Sequence, residues 1–347
     1  MGKLLSRKAV KYYFSEYTND NTERVIPLSD PFIPFESISY TKRFLADCYE
    51  RKSFPNAKTV SYQTSYSFIY HLQQGKLYLQ QAAQAPIEIK PMLLFYGIVQ
   101  MLKACVLTVD PFYPENSTVL AHGVTARKRK KQGYRFLDDE IKVQKNGLFL
   151  HFLDKMFHVK QMPDEKFKMN YLLKQVADMH PLYSTMHKRD ISIAVSQGTQ
   201  SYTMSDSILD DLHMTANRFS LFLEQSPHSR NWYHRQKGVT SLKQHITVPL
   251  HAAPSRYQSA PWLSTCEGEI YLLRKREDYC SLPELSIHYL LLYNLSMICR
   301  YEAEWWGELH HTFEGDDLPF IKQFLATTTK KLPLLFEHYL FSQVRDE

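Results

Sequence analysis

The chain has 347 residues, of which 44% are hydrophobic and 22% charged. This length suits one large domain or two ordinary ones, and the composition excludes a disordered polymer. A net charge of +6 permits an anionic partner without demanding one. The 11 glycines are scarce and the five cysteines form no CxxC pair, which argues against glycine-rich phosphate loops, zinc ribbons and dithiol redox centres.

The scattered cysteines fit a reducing cytoplasm, and the N-terminal MGKLLSRKAVKYYF lacks the apolar core of a signal peptide. Residues 1–35 are polar and then proline-rich, with Pro27, Pro31 and Pro34, and read as an irregular lead-in. Helical patterning starts at Ser37 with SISYTKRFLADCYERK, and a Tyr- and Gln-rich helix follows over about 59–85. The stretch 86–109, PIEIKPMLLFYGIVQMLKACVLTV, is apolar nearly all round and opens on two prolines, as a buried core helix does. Gln100 and Lys103 interrupt it before it reaches the roughly 20 apolar residues of a bilayer span, so no membrane is expected. These three helices are expected to pack antiparallel.

On the third helix Tyr96, Gln100 and Lys103 fall at i, i+4 and i+7, a thin polar stripe. It reads either as a core helix with one snorkelling lysine or as a pocket wall. Residues 110–118 are a loop by their prolines. Then come His122, Gly123 and the consecutive cations Arg127, Lys128, Arg129, Lys130 and Lys131. Next, EIKVQ and LFLHF flank Lys145-Asn146-Gly147, a pattern that predicts a β-hairpin. A helix is expected over 165–179 and another over 205–225 with Ser205 or Asp206 as cap. Short strands are expected at ISIAV, SQGTQSYTM, GVTSLKQHITVPL and GEIYLLRKRE.

Pro283 opens one long helix, PELSIHYLLLYNLSMICRYEAEWW, and a last helix covers about 319–344. On the former, Tyr293, Ser296, Arg300 and Glu304 share a face, and Glu304 at i+4 is the expected partner of Arg300. The expected architecture is therefore α+β, mostly α. A discontinuous helical core comes from 36–110 and 283–344, and 111–282 supplies the hairpin and a mixed α/β middle segment.

Forked guanidinium and ammonium groups gathered in one loop suit phosphate oxygens, although a solvated charged loop has the same composition. Arg127, Arg129, Lys130, Lys131, Lys142 and Lys145 are the candidate phosphate contacts, and His122, Tyr96 and Arg300 the candidate pocket wall. No GxSxG, P-loop or GxGxxG occurs, so no catalytic residue is nominated. Glu308, His310, His311 and Asp316 are neighbours, but adjacent histidines on a helix point about 100° apart, so no metal site is expected.

The segments PIEIKPMLLFYGIVQMLKACVLTVDPFYP, VLAHGVTARKRKKQGYRFLDDEIKVQKNGLFLHF and LLLYNLSMICRYEAEWW together resemble the YaaC-like family of bacterial cytoplasmic proteins. The resemblance runs over about 35–344 and is most specific at HGV…RKRKK and LYNLSMICRY; Ala303 stands near where the family pattern has a proline before the tryptophan. The helical parts are similar to the HEPN superfamily, many of whose members are metal-independent RNases with an Arg-x4–6-His motif. No such spacing occurs here: Arg230 to His234 is too short and Arg300 to His310 too long.

The resemblance implies a non-enzymatic regulator in purine metabolism. It would bind IMP dehydrogenase and restrain it in response to a guanine nucleotide such as (p)ppGpp, with no cofactor beyond that nucleotide. The rival expectations are a HEPN-like RNA-binding protein or RNase, and a hydrolase with an unrecognised triad.

Overall fold

In a computed structural model the described residues are 30–126, 133–160, 162, 165–226, 229–254, 260–312 and 315–344. A 3-10 turn, Ile33–Glu36, leads into helix α1, Ile38–Arg51. The Ser37 hydroxyl caps α1 by accepting the Tyr40 N–H at 3.3 Å. Helices α2 (Ala57–Gln84) and α3 (Lys90–Leu107) follow, with Pro91 in the first turn of α3, where its missing N–H costs nothing.

The chain continues through β1 (Val124–Ala126), β2 (Glu140–Val143), α4 (Leu148–Phe157), β3 (Lys166–Lys168), α5 (Met169–Leu173) and α6 (His180–His187). Next come β4 (Ser192–Gln197), β5 (Ser201–Ser205), α7 (Ser207–Asp211), α8 (Ala216–Gln225), β6 (Thr240–Leu242), β7 (His245–Pro249), β8 (Leu263–Ser264) and β9 (Ile270–Leu273). Helices α9 (Glu284–Tyr301), α10 (Ala303–Thr312) and α11 (Asp317–Ser342) close it. The described residues are thus α+β and mostly α. Their two sheets are antiparallel, with orders β1-β2-β3 and β6-β7-β5-β4-β9-β8.

Helix α3 is the centre: α2, α9 and α11 all pack on it. It meets α2 closely because Gly75 and Gly97 leave room. A Cβ on Gly75 would lie 2.7 Å from Met101 Cγ, and one on Gly97 would lie 2.7 Å from Leu79 Cδ2. By length and hydropathy α3 is the one described helix that could cross a membrane, but 67% of it is buried inside the protein. Its side chains belong to the large core that joins 32–183 to 280–341. Residues 124–183, which the sequence pattern assigns to the middle segment, thus contribute to the main core. A second core forms between the six-stranded sheet and α7 and α8, around Ile208, Phe219 and Leu223.

An ionic network ties the two units together. Lys331 on α11 donates to Asp178 at 2.7 Å and contacts Glu284 at 2.6 Å and the Ser264 carbonyl of β8. Lys174 reaches Asp278 at 2.7 Å.

Four sequence expectations need correction. The hairpin at Asn146-Gly147 does not form. Its first arm is β2, but β2 pairs with β1 and β3, and LFLHF is the start of α4. Apolar residues at 148, 149, 152, 153, 156 and 157 are buried on one face, a 3.6-residue period that a five-residue window cannot separate from a strand. The helix expected over 165–179 is β3, α5 and a 3-10 turn; Phe167 is buried opposite Ile141. The helix over 205–225 breaks into α7 and α8 at His213, whose φ is 53°, and Thr215 caps the second piece through the Arg218 N–H.

The long helix from Pro283 breaks at Glu302, φ −122° and ψ 48°, which separates α9 from α10. Arg300 and Glu304 therefore form no ion pair, and Trp306 on α10 instead donates its indole N–H to the Glu88 carbonyl at 3.0 Å.

Candidate functional site

Two loops that are far apart in sequence cross at Gly123 and Gly147. Gly147 has φ 128°, and a Cβ there would overlap the Gly123 backbone and stand 2.9 Å from the Ala121 carbonyl. Gly123 itself has φ 78°, so both positions require the freedom that only glycine has. The crossing is sealed by main-chain bonds from Leu148 N–H to Ala121 O at 2.7 Å, Phe149 N–H to His122 O at 3.2 Å and Gln144 N–H to Gly123 O at 2.9 Å. The Tyr289 hydroxyl donates to the His122 carbonyl at 2.8 Å. These bonds occupy the first N–H groups of α4 and hold the backbone of His122 rigidly.

The His122 side chain is turned onto aromatic rings, with Phe95 at 4.9 Å and Tyr293 at 5.8 Å between centroids. It lines a cavity of about 610 Å³ together with Gly123, Lys145, Asn146 and Tyr293. Behind it the polar edges of α3 and α9 meet. Arg300 Nη1 donates to the Tyr96 hydroxyl at 3.1 Å and Nε to the Ser296 carbonyl at 2.9 Å. Gln100 Oε1 accepts from Nδ1 of His71 on α2 at 2.7 Å. Lys103 completes the stripe, half-buried.

The electrostatics of this corner are one-sided. Among the described residues neither Arg300 nor Lys103 has a carboxylate within ion-pair distance. Burial lowers the pKa of Lys103. Burial, then the charges of Arg300 and Lys103, lower that of His122, so its imidazole is neutral at neutral pH. A neutral imidazole, an exposed lysine and a tyrosine ring line the cavity, and two cations that are not in its lining, Arg300 and Lys103, act on the imidazole; such a corner can take a group that is both anionic and planar. By contrast, a depression of about 320 Å³ on the β unit, beside His234 and His251, has its Arg235 paired with Glu224 at 2.6 Å. No three His, Cys, Asp or Glu side chains converge as a metal would require, among the described residues.

Of the residues nominated from the sequence, His122 and Lys145 line the cavity, whereas Tyr96 and Arg300, expected in its wall, bond to each other and are not among its lining residues. Lys142 lies on β2, opposite Thr125 and half-buried. Arg127, Arg129, Lys130 and Lys131 lie outside the described residues; they follow β1, whose first residue, Val124, borders the cavity. Tyr293 and Lys103 belong to the corner as well, although the sequence places them only on polar stripes and does not mark them as site residues. Their 3.6-residue spacing is the signal that could have found them.

The model of the YaaC-like protein family matches residues 33–340. The chain belongs to the YaaC-like family. The match takes in every residue of this corner, from Tyr96 and Lys103 through His122 and Lys145 to Tyr293 and Arg300. No curated protein and no solved structure matches this YaaC-like chain.

Proposed function

We propose that this YaaC-like protein is a non-enzymatic, cytoplasmic regulator of guanine nucleotide synthesis. It binds IMP dehydrogenase and restrains it when a guanine nucleotide such as (p)ppGpp fills the His122 cavity. The observation that carries the reading is the pairing of unneutralised cations, Arg300 and Lys103, with the aromatic and cationic lining of that cavity, Tyr293, His122 and Lys145. A polyphosphate supplies the missing negative charge, and a purine has a flat face for a tyrosine ring. The basic run from Arg127 to Lys131, which follows β1 in the chain, adds donors for a second pyrophosphate. The IMP dehydrogenase partner comes from the YaaC-like resemblance. Neutralising the cations of that run by ligand is the proposed means of linking the nucleotide to that partner.

The test is calorimetry of the full chain with guanine nucleotides and IMP dehydrogenase, separately and together. The reading predicts nucleotide binding, and complex formation that the nucleotide strengthens. Tight, salt-sensitive RNA binding with no response to any nucleotide would replace it with the HEPN-like RNA-binding alternative.

A further inference from the structure

We infer that an anion entering the His122 cavity is bound together with a proton, which is carried on the His122 imidazole. The inference rests on the anion-binding reading above and adds a rule for its regulation: proton and anion strengthen each other's binding.

The ring borders the cavity and touches Phe95 and Tyr293, while its backbone is fixed by the Phe149 N–H and the Tyr289 hydroxyl. It therefore stays beside whatever fills the space. The titratable groups around it come from three directions: Tyr96 and Lys103 on α3, Tyr293 and Arg300 on α9, and Lys145 after β2. His71 on α2 bonds Gln100, and the Lys103 charge acts on it as well as on His122.

The charged groups that act on His122 are cations, Arg300 and Lys103, and no described carboxylate opposes them. A third positive charge on the ring is therefore disfavoured while the cavity holds only water. An anion reverses that balance, because its charge lies on the side that the ring borders. Linkage then requires that the proton tighten the anion by the same factor as the anion tightens the proton.

The probe is sulfate, a dianion with no proton equilibrium near neutrality, so any proton taken up belongs to the protein. Histidine ring C–H resonances of the full chain are followed against pH with and without saturating sulfate, and the His122→Gln variant identifies the resonance. The expected result is a titration midpoint for His122 that rises by about one pH unit with sulfate. In parallel, sulfate affinity should increase several-fold from about pH 8 to about pH 5.5, reaching about tenfold only well below the sulfate-free midpoint, since a midpoint moved by one pH unit corresponds to a limiting factor of ten in affinity. The wild-type titration is decisive even if His122→Gln fails to fold, because His122→Asn can identify the resonance, and His71→Gln should leave the rise in place.

An unmoved His122 midpoint while sulfate or guanine nucleotide binds overturns the inference and leaves the proposed function standing. A raised midpoint with sulfate, but no binding of any guanine nucleotide, supports a proton-coupled anion site and removes the nucleotide reading. Absence of sulfate binding at every pH overturns the inference.

Discussion

Arg300 Nη1 donates to the Tyr96 hydroxyl at 3.1 Å, and this bond joins the polar edge of α9 to that of α3, with the Arg300 charge acting on His122. The bond orients the guanidinium without neutralising it, since its other partners, the Ser296 carbonyl, the Met297 sulfur and the Tyr301 ring, carry no charge. Charge-assisted hydrogen bonds contribute about 1.5–3 kcal/mol, so Arg300→Gln should weaken guanine nucleotide binding at least tenfold. Tyr96→Phe removes only the orienting bond and should cost about 0.5–1.5 kcal/mol of affinity. Calorimetry measures both, and an Arg300→Gln protein of full affinity would remove Arg300 from the site.

Gly147 bears on fold and site together. Ala at this position meets φ 128° and the backbone of Gly123 at once, so Gly147→Ala should destabilise the protein by more than about 3 kcal/mol, with loss of nucleotide binding. Gly133→Ala is the control. Its φ is also positive, 73°, but nothing lies within 4 Å of an added Cβ, so the loss should be about 1 kcal/mol. Urea denaturation of both variants gives the comparison. Equal losses would mean that the crossing of the two loops is not the constraint.

The contrast between those glycines marks where sequence reading stops. Helix α3 is legible because an apolar run behind two prolines has few other outcomes, and its Tyr96–Gln100–Lys103 stripe follows from the 3.6-residue period alone. The Arg300 stripe is legible for the same reason, up to the break at Glu302. Nothing local says that the two stripes meet, because that depends on how α9 packs on α3 across about two hundred residues of chain. The Gly123–Gly147 crossing is likewise long-range. At Gly147 the local signal misleads: Asn-Gly between apolar runs is a turn signature, yet here the glycine is needed for a close backbone passage and an abrupt entry into α4. The expected Glu304 partner for Arg300 fails because an i+4 pair needs one continuous helix.

Lys331 holds the two units together from a position that is 2% exposed. Burial alone would discharge it, but Glu284 and Asp178 outweigh burial and raise its pKa, so it stays an ammonium ion. Lys331→Met leaves two carboxylates buried without a counter-charge and should cost about 3–5 kcal/mol. The double variant Lys331→Met, Glu284→Gln removes one of those stranded charges and should recover part of the loss. Urea midpoints test this directly. A double variant no more stable than the single would show that packing at Lys331, and not charge balance, sets the cost.

His180 should set the protein's sensitivity to mild acid. It is 3% exposed, its Nε2 donates to the Lys174 carbonyl at 2.8 Å, and its buried Nδ1 has no partner. Burial, only partly offset by the Lys174 bond, lowers its pKa from 6.5 to about 4. The folded protein thus refuses a proton that the unfolded chain accepts, and stability is unaffected above the unfolded value and falls as pH drops from 6.5 towards 4. Each pH unit between the two values is worth about 1.36 kcal/mol, so the full loss is about 3 kcal/mol.

Asp110 acts in a lower window. Burial would raise its pKa, but the His151 bond and the Lys155 charge outweigh burial and lower it, so its contribution is present above the ordinary aspartate value and lost only as pH falls through its own lower one. His180→Gln can keep a donor for the Lys174 carbonyl without accepting a proton. Its stability should therefore decline less steeply than the wild type's between about pH 6.5 and 4, as read from denaturant midpoints across that range. Parallel declines in the two proteins would assign the acid sensitivity to other groups.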